Sequence, residues 1–158
     1  MKLLLSIIIA VIFYTSSFAQ SIKSRLQLIA KQQYPNDYTM QEFVYDLQKK
    51  GYNYMSRVTD AEVKLIAVKQ YPDDYIMQQF VCEQQLSAKS YMKSVTDQEV
   101  KLIAVKQYPA DYTMQQFVYD QQLSAKAFMK RASNISIKAK ARIEYPDDYS
   151  MQKFVYEQ

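Results

Sequence analysis

Hydrophobic and polar residues recur along this chain with a fixed period. Tyr-Pro stands at Tyr34-Pro35, Tyr71-Pro72, Tyr108-Pro109 and Tyr145-Pro146, which uses all four prolines. Each is followed by x-Asp-Tyr-x-Met-Gln-x-Phe-Val, and successive copies are 37 residues apart. Residues 64–100 and 101–137 are identical at 24 of 37 positions. A period of this length is typical of stacked structural repeats. The sequence therefore predicts about three and a half repeats, at 27–63, 64–100, 101–137 and, in part, 138–158.

Within one repeat the pattern predicts a short helix followed by a longer one. Thr59 with Glu62, and Thr96 with Glu99, form the Thr-x-x-Glu pattern of a capping box at a helix start. The short helix ends before each Tyr-Pro, because proline pushes the preceding residue out of the helical region. An aspartate found in every copy is expected to cap the longer helix. These aspartates are Asp37, Asp74, Asp111 and Asp148.

The fold class that follows is all-α, with stacked helical hairpins in an α-solenoid-like array of seven or eight helices. We expect one domain over residues 20–158. In the second copy, the longer helix is expected from about Tyr75 to Met92. Its predicted core face carries Met77, Phe80, Val81, Gln84, Ala88, Tyr91 and Met92, which recur at helical spacing.

A second stripe, rich in tyrosine, lies on the opposite side of each longer helix. It has two interpretations: packing between neighbouring repeats, or a ladder of rings that faces a ligand, since tyrosine combines a large apolar ring with a polar hydroxyl. Cys82 replaces tyrosine in one copy, which favours partial exposure of the stripe, because a buried exchange would open a cavity. The ligand-facing candidates are Tyr38, Tyr45, Tyr75, Tyr112, Tyr119, Tyr149 and Tyr156.

Composition removes most catalytic chemistry. The chain has 158 residues, no histidine, one cysteine and one glycine. Without an imidazole, Ser-His-Asp and Cys-His catalysis and His-ligated metals are excluded. The acid pairs at 73–74 and 147–148 fit a helix start, which favours negative charge, better than acid-base catalysis or a cation site. We expect no enzyme activity, no cofactor and no metal. Asn134-Ile135-Ser136 matches a glycosylation acceptor, but aligns with a helix start.

The first nineteen residues are typical of a cleavable export signal. Lys2 is followed by an apolar run from Leu3 to Tyr14, and small residues stand at Ser17 and Ala19. The run is shorter than the roughly 20 residues that a spanning helix needs. We therefore expect cleavage before Gln20, no membrane span afterwards, and a periplasmic or secreted location. The net charge of +4 is small, and the basic residues are interspersed with acidic ones. This pattern does not indicate nucleic-acid binding.

Three function classes remain open at this stage. The first is a non-catalytic module that binds proteins or peptides in the cell envelope or outside it, because stacked repeats make extended binding surfaces. The second is a glycan or cell-wall binder that stacks sugar rings on the tyrosine ladder. The third, least favoured, is an enzyme that uses carboxylate chemistry.

Overall fold

A computed structural model describes residues 22–158 of the chain. The predicted signal segment, residues 1–19, lies outside the described residues. The fold is all-helical, with packed helix pairs, and the described residues form no strands. They divide into two compact units: unit 1, of which residues 22–80 are described, and unit 2, Val81–Gln158.

Short and long helices alternate along the chain. The short helices are α1 (residues 22–33 as described), α3 (Ala61–Gln70), α5 (Gln98–Gln107) and α7 (Ile135–Glu144). The long helices are α2 (Tyr38–Arg57), α4 (Tyr75–Ser94) and α6 (Tyr112–Arg131). The equivalent helix of the last copy, α8 (Tyr149–Glu157), has nine residues and is grouped with them by its repeat position. The boundary between the units falls inside α4.

Each Tyr-Pro sequence forms the same tight turn from a short helix into the next long helix. The amide of the aspartate bonds back to the carbonyl of the tyrosine three residues earlier, as in Asp74 N to Tyr71 O at 3.4 Å. Proline suits the second position of such a turn because its φ is preset. No described residue has a positive φ, so these turns need no glycine. This explains how one glycine suffices for so many helix reversals.

The cores of the two units are built from different residues. In unit 1, Leu26 and Ile29 of α1 pack with Tyr75. In unit 2, a cluster of Met92, Val100, Ala104, Val118 and Tyr119 joins three helices, and α6 packs against both α5 and α8. Small residues at the contact, Ala67, Ala104 and Ala141, are fully buried, which lets neighbouring helices approach closely.

The predicted core face of the long helix is wrong in part. Ala88 and Met92 are buried, but Phe80 and Gln84 are exposed, and Gln78 and Gln85 are buried instead. Phe80 is two residues from Gln78, which places it about 160° away around the helix. Apolar spacing alone allowed either face. The buried face is the one whose glutamines find hydrogen-bond partners, as described below.

Candidate functional site

Buried glutamines connect each long helix to the start of the next one. Gln48 donates from Nε2 to the Asp74 carboxylate at 3.0 Å and accepts at Oε1 from the Tyr75 amide at 2.8 Å. We call this arrangement the glutamine clamp. It recurs at Gln85 with Asp111 and Tyr112, and at Gln122 with Asp148 and Tyr149. One amide group satisfies a donor and an acceptor at a helix start, where backbone amides lack partners.

A second glutamine in each long helix, buried in α4, α6 and α8 and half-buried in α2, secures the Tyr-Pro turn that precedes it. Gln78 donates from Nε2 to Tyr71 O at 2.6 Å and to Pro72 O at 3.2 Å. Gln41, Gln115 and Gln152 make the corresponding bond to Tyr34, Tyr108 and Tyr145. The Tyr-Pro turn is therefore held from inside the following helix, because its carbonyls would otherwise be left without donors.

The predicted aspartate positions lie at the starts of the long helices. Asp37, Asp111 and Asp148 are N-caps whose carboxylates accept from Met40, Met114 and Met151 amides. Asp74 accepts from the Ile76 and Met77 amides. In three of the four cases the same carboxylate oxygen also receives the clamp glutamine.

The capping-box prediction for the short helices is corrected by one residue. The N-caps of α3 and α5 are Asp60 and Asp97, which accept from Val63 and Val100 amides, rather than Thr59 and Thr96. An ionised carboxylate is a stronger acceptor at a helix start than a hydroxyl. Glu62 and Glu99 lie in the first turns of these helices. Asn134 caps α7 through its side chain, as its alignment with a helix start suggested.

The seven candidate tyrosines occupy two kinds of place. At the first position of the long helix, Tyr75 is buried, Tyr112 and Tyr149 are half-buried, and Tyr38 is exposed. A cation lies over the ring in each buried or half-buried case: Arg25 over Tyr75, Lys89 over Tyr112 and Lys126 over Tyr149. This geometry favours packing against neighbouring helices over a continuous ligand-facing ladder.

The tyrosines two turns further on contact the starts of the short helices in unit 2. Tyr119 is buried and its hydroxyl accepts from the Asp97 amide at 3.3 Å. The Tyr156 hydroxyl accepts from the Ser133 and Asn134 amides, and these bonds lower the Tyr156 pKa. Tyr45 is half-buried, with Lys49 over its ring. Cys82, at the same position, is fully buried, so the exchange for tyrosine did not indicate exposure.

Unit 2 contains a compact charged cluster on α5, α6 and α8. Lys126 Nζ lies 2.8 Å from an Asp97 carboxylate oxygen and 2.7 Å from Glu99. Tyr149 donates its hydroxyl to Glu99 at 2.6 Å. The hydrogen bond to Asp97 raises the pKa of Lys126, and the bonds from Lys126 lower the pKa of both acids. Burial, together with the bond to Glu99, raises the Tyr149 pKa. Every group is paired with an opposite charge or a hydroxyl, which is typical of a structural network.

An exposed phenylalanine recurs at one position of every long helix. Phe43, Phe80, Phe117 and Phe154 are each 52–56% exposed. In unit 2, Phe117 lines a groove of about 530 Å³ between α6 and α8. Polar side chains surround it, with Asp120, Gln121 and Ser124 on α6 and Ser150 and Lys153 on α8. An aromatic ring beside mixed polar groups is the kind of surface that binds peptides.

Several acidic side chains make structural contacts. Asp74 and Asp148 receive clamp glutamines, and Asp73 pairs with Arg25. Tyr91 donates to Asp120, which raises the Tyr91 pKa to about 12. In the part of the chain that the structure describes, no group of three or more Cys, Asp or Glu side chains is placed to hold a metal ion. No helix among residues 22–158 is long and apolar enough to cross a membrane.

Sequence reasoning missed the glutamine clamp and the exposed phenylalanines. The signal was present, since Gln48, Gln85 and Gln122 stand at one repeat position and the turn glutamines at another. A polar residue repeated without change on an apolar stripe indicates a buried hydrogen bond, because buried polar groups need partners. Comparisons with protein-family models, curated proteins and solved structures find no match to this chain.

Proposed function

We propose that this chain is an exported, non-catalytic helical-repeat protein that binds proteins or peptides. The observation that carries the proposal is the exposed phenylalanine at one position of all four copies. Most other residues common to every copy make structural contacts, although the first tyrosine of the long helix is exposed at Tyr38. Proline and aspartate build the turn and the cap, glutamine holds the turn, and the methionine and valine positions are buried or half-buried.

Single exposed apolar residues are common and need no explanation. Here, however, the same large ring recurs four times with about half its surface in water. The exposed half of each ring contributes nothing to the fold, because it buries no area. Aromatic rings are enriched at the centres of interfaces, where they supply most of the binding energy. Retention of the ring in every copy is therefore best explained by contact with a partner.

The experiment replaces the four phenylalanines with serine and selects ligands from a displayed random-peptide library. We expect the parent chain to select peptides with apolar anchors, and the quadruple variant to bind them at least about tenfold more weakly. Helical circular dichroism and the unfolding midpoint should change little, because exposed substitutions usually alter stability by about 0.5 kcal/mol or less. A matched control replaces Gln84 and Gln107, which are exposed and lie outside the groove that Phe117 lines, with serine and should bind as the parent does.

Unchanged peptide affinity in the quadruple variant contradicts the proposal. Loss of the helical signal assigns the rings to packing and contradicts it as well. Export is tested separately by N-terminal sequencing of protein recovered from outside the cytoplasm. The expected first residue is Gln20, and a start at Met1 would contradict cleavage of the signal.

A further inference from the structure

The start of α2 has every feature of a glutamine-clamp acceptor except the glutamine. Asp37 caps the helix through Met40 and is followed by Tyr38, as Asp74 is followed by Tyr75. Tyr38 is 84% exposed, whereas Tyr75 is 9% exposed. Among the described residues, none donates a side-chain amide to Asp37 or accepts from the Tyr38 amide. Residues 22–158 therefore leave open, at this helix start, the acceptor and donor that each later helix start offers to a glutamine.

The later junction in unit 2 shows which surface the missing partner would cover. On α8, the first, fifth and eighth residues all contact α6. Lys126 lies over the Tyr149 ring at 5.3 Å. Lys153 lies over the Phe128 ring at 5.2 Å, and Tyr156 meets that ring edge-on at 5.6 Å.

The same three positions of α2 line an open groove. They are Tyr38, Glu42 and Tyr45, and together with residues of α1 they enclose about 480 Å³. The groove thus lies on the face that α8 uses to pack against a long helix. The acceptor at the helix start and the adjacent groove are independent observations, and the three clamps within this chain show what fills such a surface.

We propose that the α1–α2 groove binds a helix of a partner protein through a fourth glutamine clamp. The glutamine of that helix bridges the Asp37 carboxylate and the Tyr38 amide. By analogy with Gln122 and Lys126, a lysine four residues later lies over the Tyr38 ring. The proposal concerns a different surface from the exposed phenylalanines, but rests on the same proposed class of function, binding of proteins or peptides.

Charge defines the partner further. In α8 the fifth position is Lys153, which lies over the aromatic ring of Phe128. In α2 that position is Glu42, so the partner carries a cation where α6 carries Phe128. The recognised pattern is Gln-x-x-x-Lys-x-Arg/Lys on a helix. The described residues of a folded second copy of this chain do not supply it, because Gln48, Gln85 and Gln122 are engaged by its own helices.

The test uses the full chain and a labelled synthetic peptide of the α6 sequence, Tyr112–Arg131, that carries Phe128→Arg. Binding is followed by fluorescence anisotropy and by the NMR shift of the Tyr38 amide. We expect saturable binding that moves the Tyr38 amide resonance. Adding Gln122→Ala to the peptide should weaken binding about tenfold, because two buried hydrogen bonds are lost. A peptide with Gln121→Ala is the matched control and should bind as the parent peptide does.

The charge prediction is tested by a reversal. A peptide with Phe128→Glu should bind about threefold more weakly than the Phe128→Arg peptide, as expected for a partly exposed ion pair. Glu42→Lys in the protein should invert that order. The quadruple phenylalanine variant should bind the Phe128→Arg peptide as the parent does, which separates this groove from the first proposal.

Several results would overturn the inference. One is equal affinity for the parent and Gln122→Ala peptides, and another is binding that leaves the Tyr38 amide unmoved. A third is self-association of the protein that protects Tyr38, which would make a second copy the occupant. Absence of binding to the full chain would show that the groove does not accept this helix.

Discussion

The first and last junctions between long helices share the glutamine clamp but take the neighbouring cation from different helices. At the first junction, in unit 1, Arg25 of α1 pairs with Asp73 and lies 6.0 Å from the centre of the Tyr75 ring. At the last junction, in unit 2, the cation is Lys126 of the long helix α6.

The repeat alignment shows that two residues have been exchanged together. Arg25 stands at the repeat position of Glu99, and Tyr52 at that of Lys126. Where Lys126 covers the Tyr149 ring, Tyr52 instead meets the Tyr75 ring edge-on at 5.4 Å. The cation moves from the long helix to the short helix, and the first tyrosine of the next long helix keeps a cationic neighbour in both cases.

Glycine marks another difference between the junctions. Gly51 in α2 is buried where α6 has Ala125. A Cβ added to Gly51 would lie 2.4 Å from the Tyr75 carbonyl oxygen and 2.6 Å from its carbon. The two junctions teach that hydrogen bonds directed at the backbone stay constant between copies, while the side chains around them vary in compensating groups.

The largest effect should come from removal of the shared clamp. Gln48→Met and Gln122→Met keep the side-chain volume but leave an aspartate and a backbone amide without their partner. Each variant should lose about 2–3 kcal/mol of unfolding free energy. Urea unfolding followed by circular dichroism measures the loss, and Gln121→Met, on the exposed side of α6, serves as control. A difference above about 1 kcal/mol between the two clamp variants would show that the clamp is not equivalent at both junctions.

The second-largest effect should come from the difference in how closely the helices approach each other at the two junctions. Gly51→Ala should lower the unfolding free energy by about 1–2 kcal/mol, because overpacking against the Tyr75 backbone outweighs the better helix propensity of alanine. Ala125→Gly should also destabilise, by about 1 kcal/mol, through the helix propensity of glycine. The exposed Asn53→Ala, in the same helix as Gly51, is the propensity control and should stabilise slightly. Stabilisation by Gly51→Ala would refute the close approach of α2 to Tyr75.

The helices were predictable because their signals are local. Proline fixes the turn at residues 34–37, and the sequence places Asp37 at the start of α2 without reference to any distant residue. The same local signals recur in each copy of the repeat, so the all-helical fold class follows. The shift from Thr59 to Asp60 as the α3 cap is a choice between adjacent acceptors, which sequence spacing resolves poorly.

The candidate site was less predictable because it depends on which side of the long helix is buried. Gln48 and Asp74 are 26 residues apart, and nothing local connects them. Phe80 has the larger apolar side chain, so hydrophobic spacing placed it in the core. Gln78 and Gln85 are buried instead, because the turn carbonyls and the next helix start satisfy their amides. The sequence allowed two interpretations of the tyrosine stripe, and its environments differ from Tyr38 to Tyr75.

The exchange of residues 25 and 52 can be tested by giving the first junction the residue types of the last one. Arg25→Glu alone should destabilise by about 0.5–1 kcal/mol, because it removes the partner of Asp73 and the cation near Tyr75. Tyr52→Lys alone should cost about 0.5–1.5 kcal/mol through the lost ring contact. The double variant recreates the carboxylate–lysine pairing of the last junction and should be less destabilised than the sum of the two, by about 0.5 kcal/mol. A double-mutant cycle from urea unfolding measures this coupling, and strict additivity would mean that the residues vary independently.

The smallest effect is the acid dependence contributed by the Lys126 cluster. The pKa values of Asp97 and Glu99 lie below their ordinary 3.8 and 4.5 because Lys126 donates to both. Carboxyls with lowered pKa contribute stability above those ordinary values, and the contribution disappears as pH falls through the folded-state pKa values. The side chain of Glu99 is 60% exposed, so solvent screening limits the effect to about 1 kcal/mol or less at pH 7. Lys126→Met should therefore be less stable than the parent at pH 7 and should approach it between about pH 4.5 and pH 3. Lys130→Met is an exposed change on the same helix, and its difference in unfolding free energy from the parent should vary much less over this range. A difference that stays constant with pH for Lys126→Met would exclude the cluster as its source.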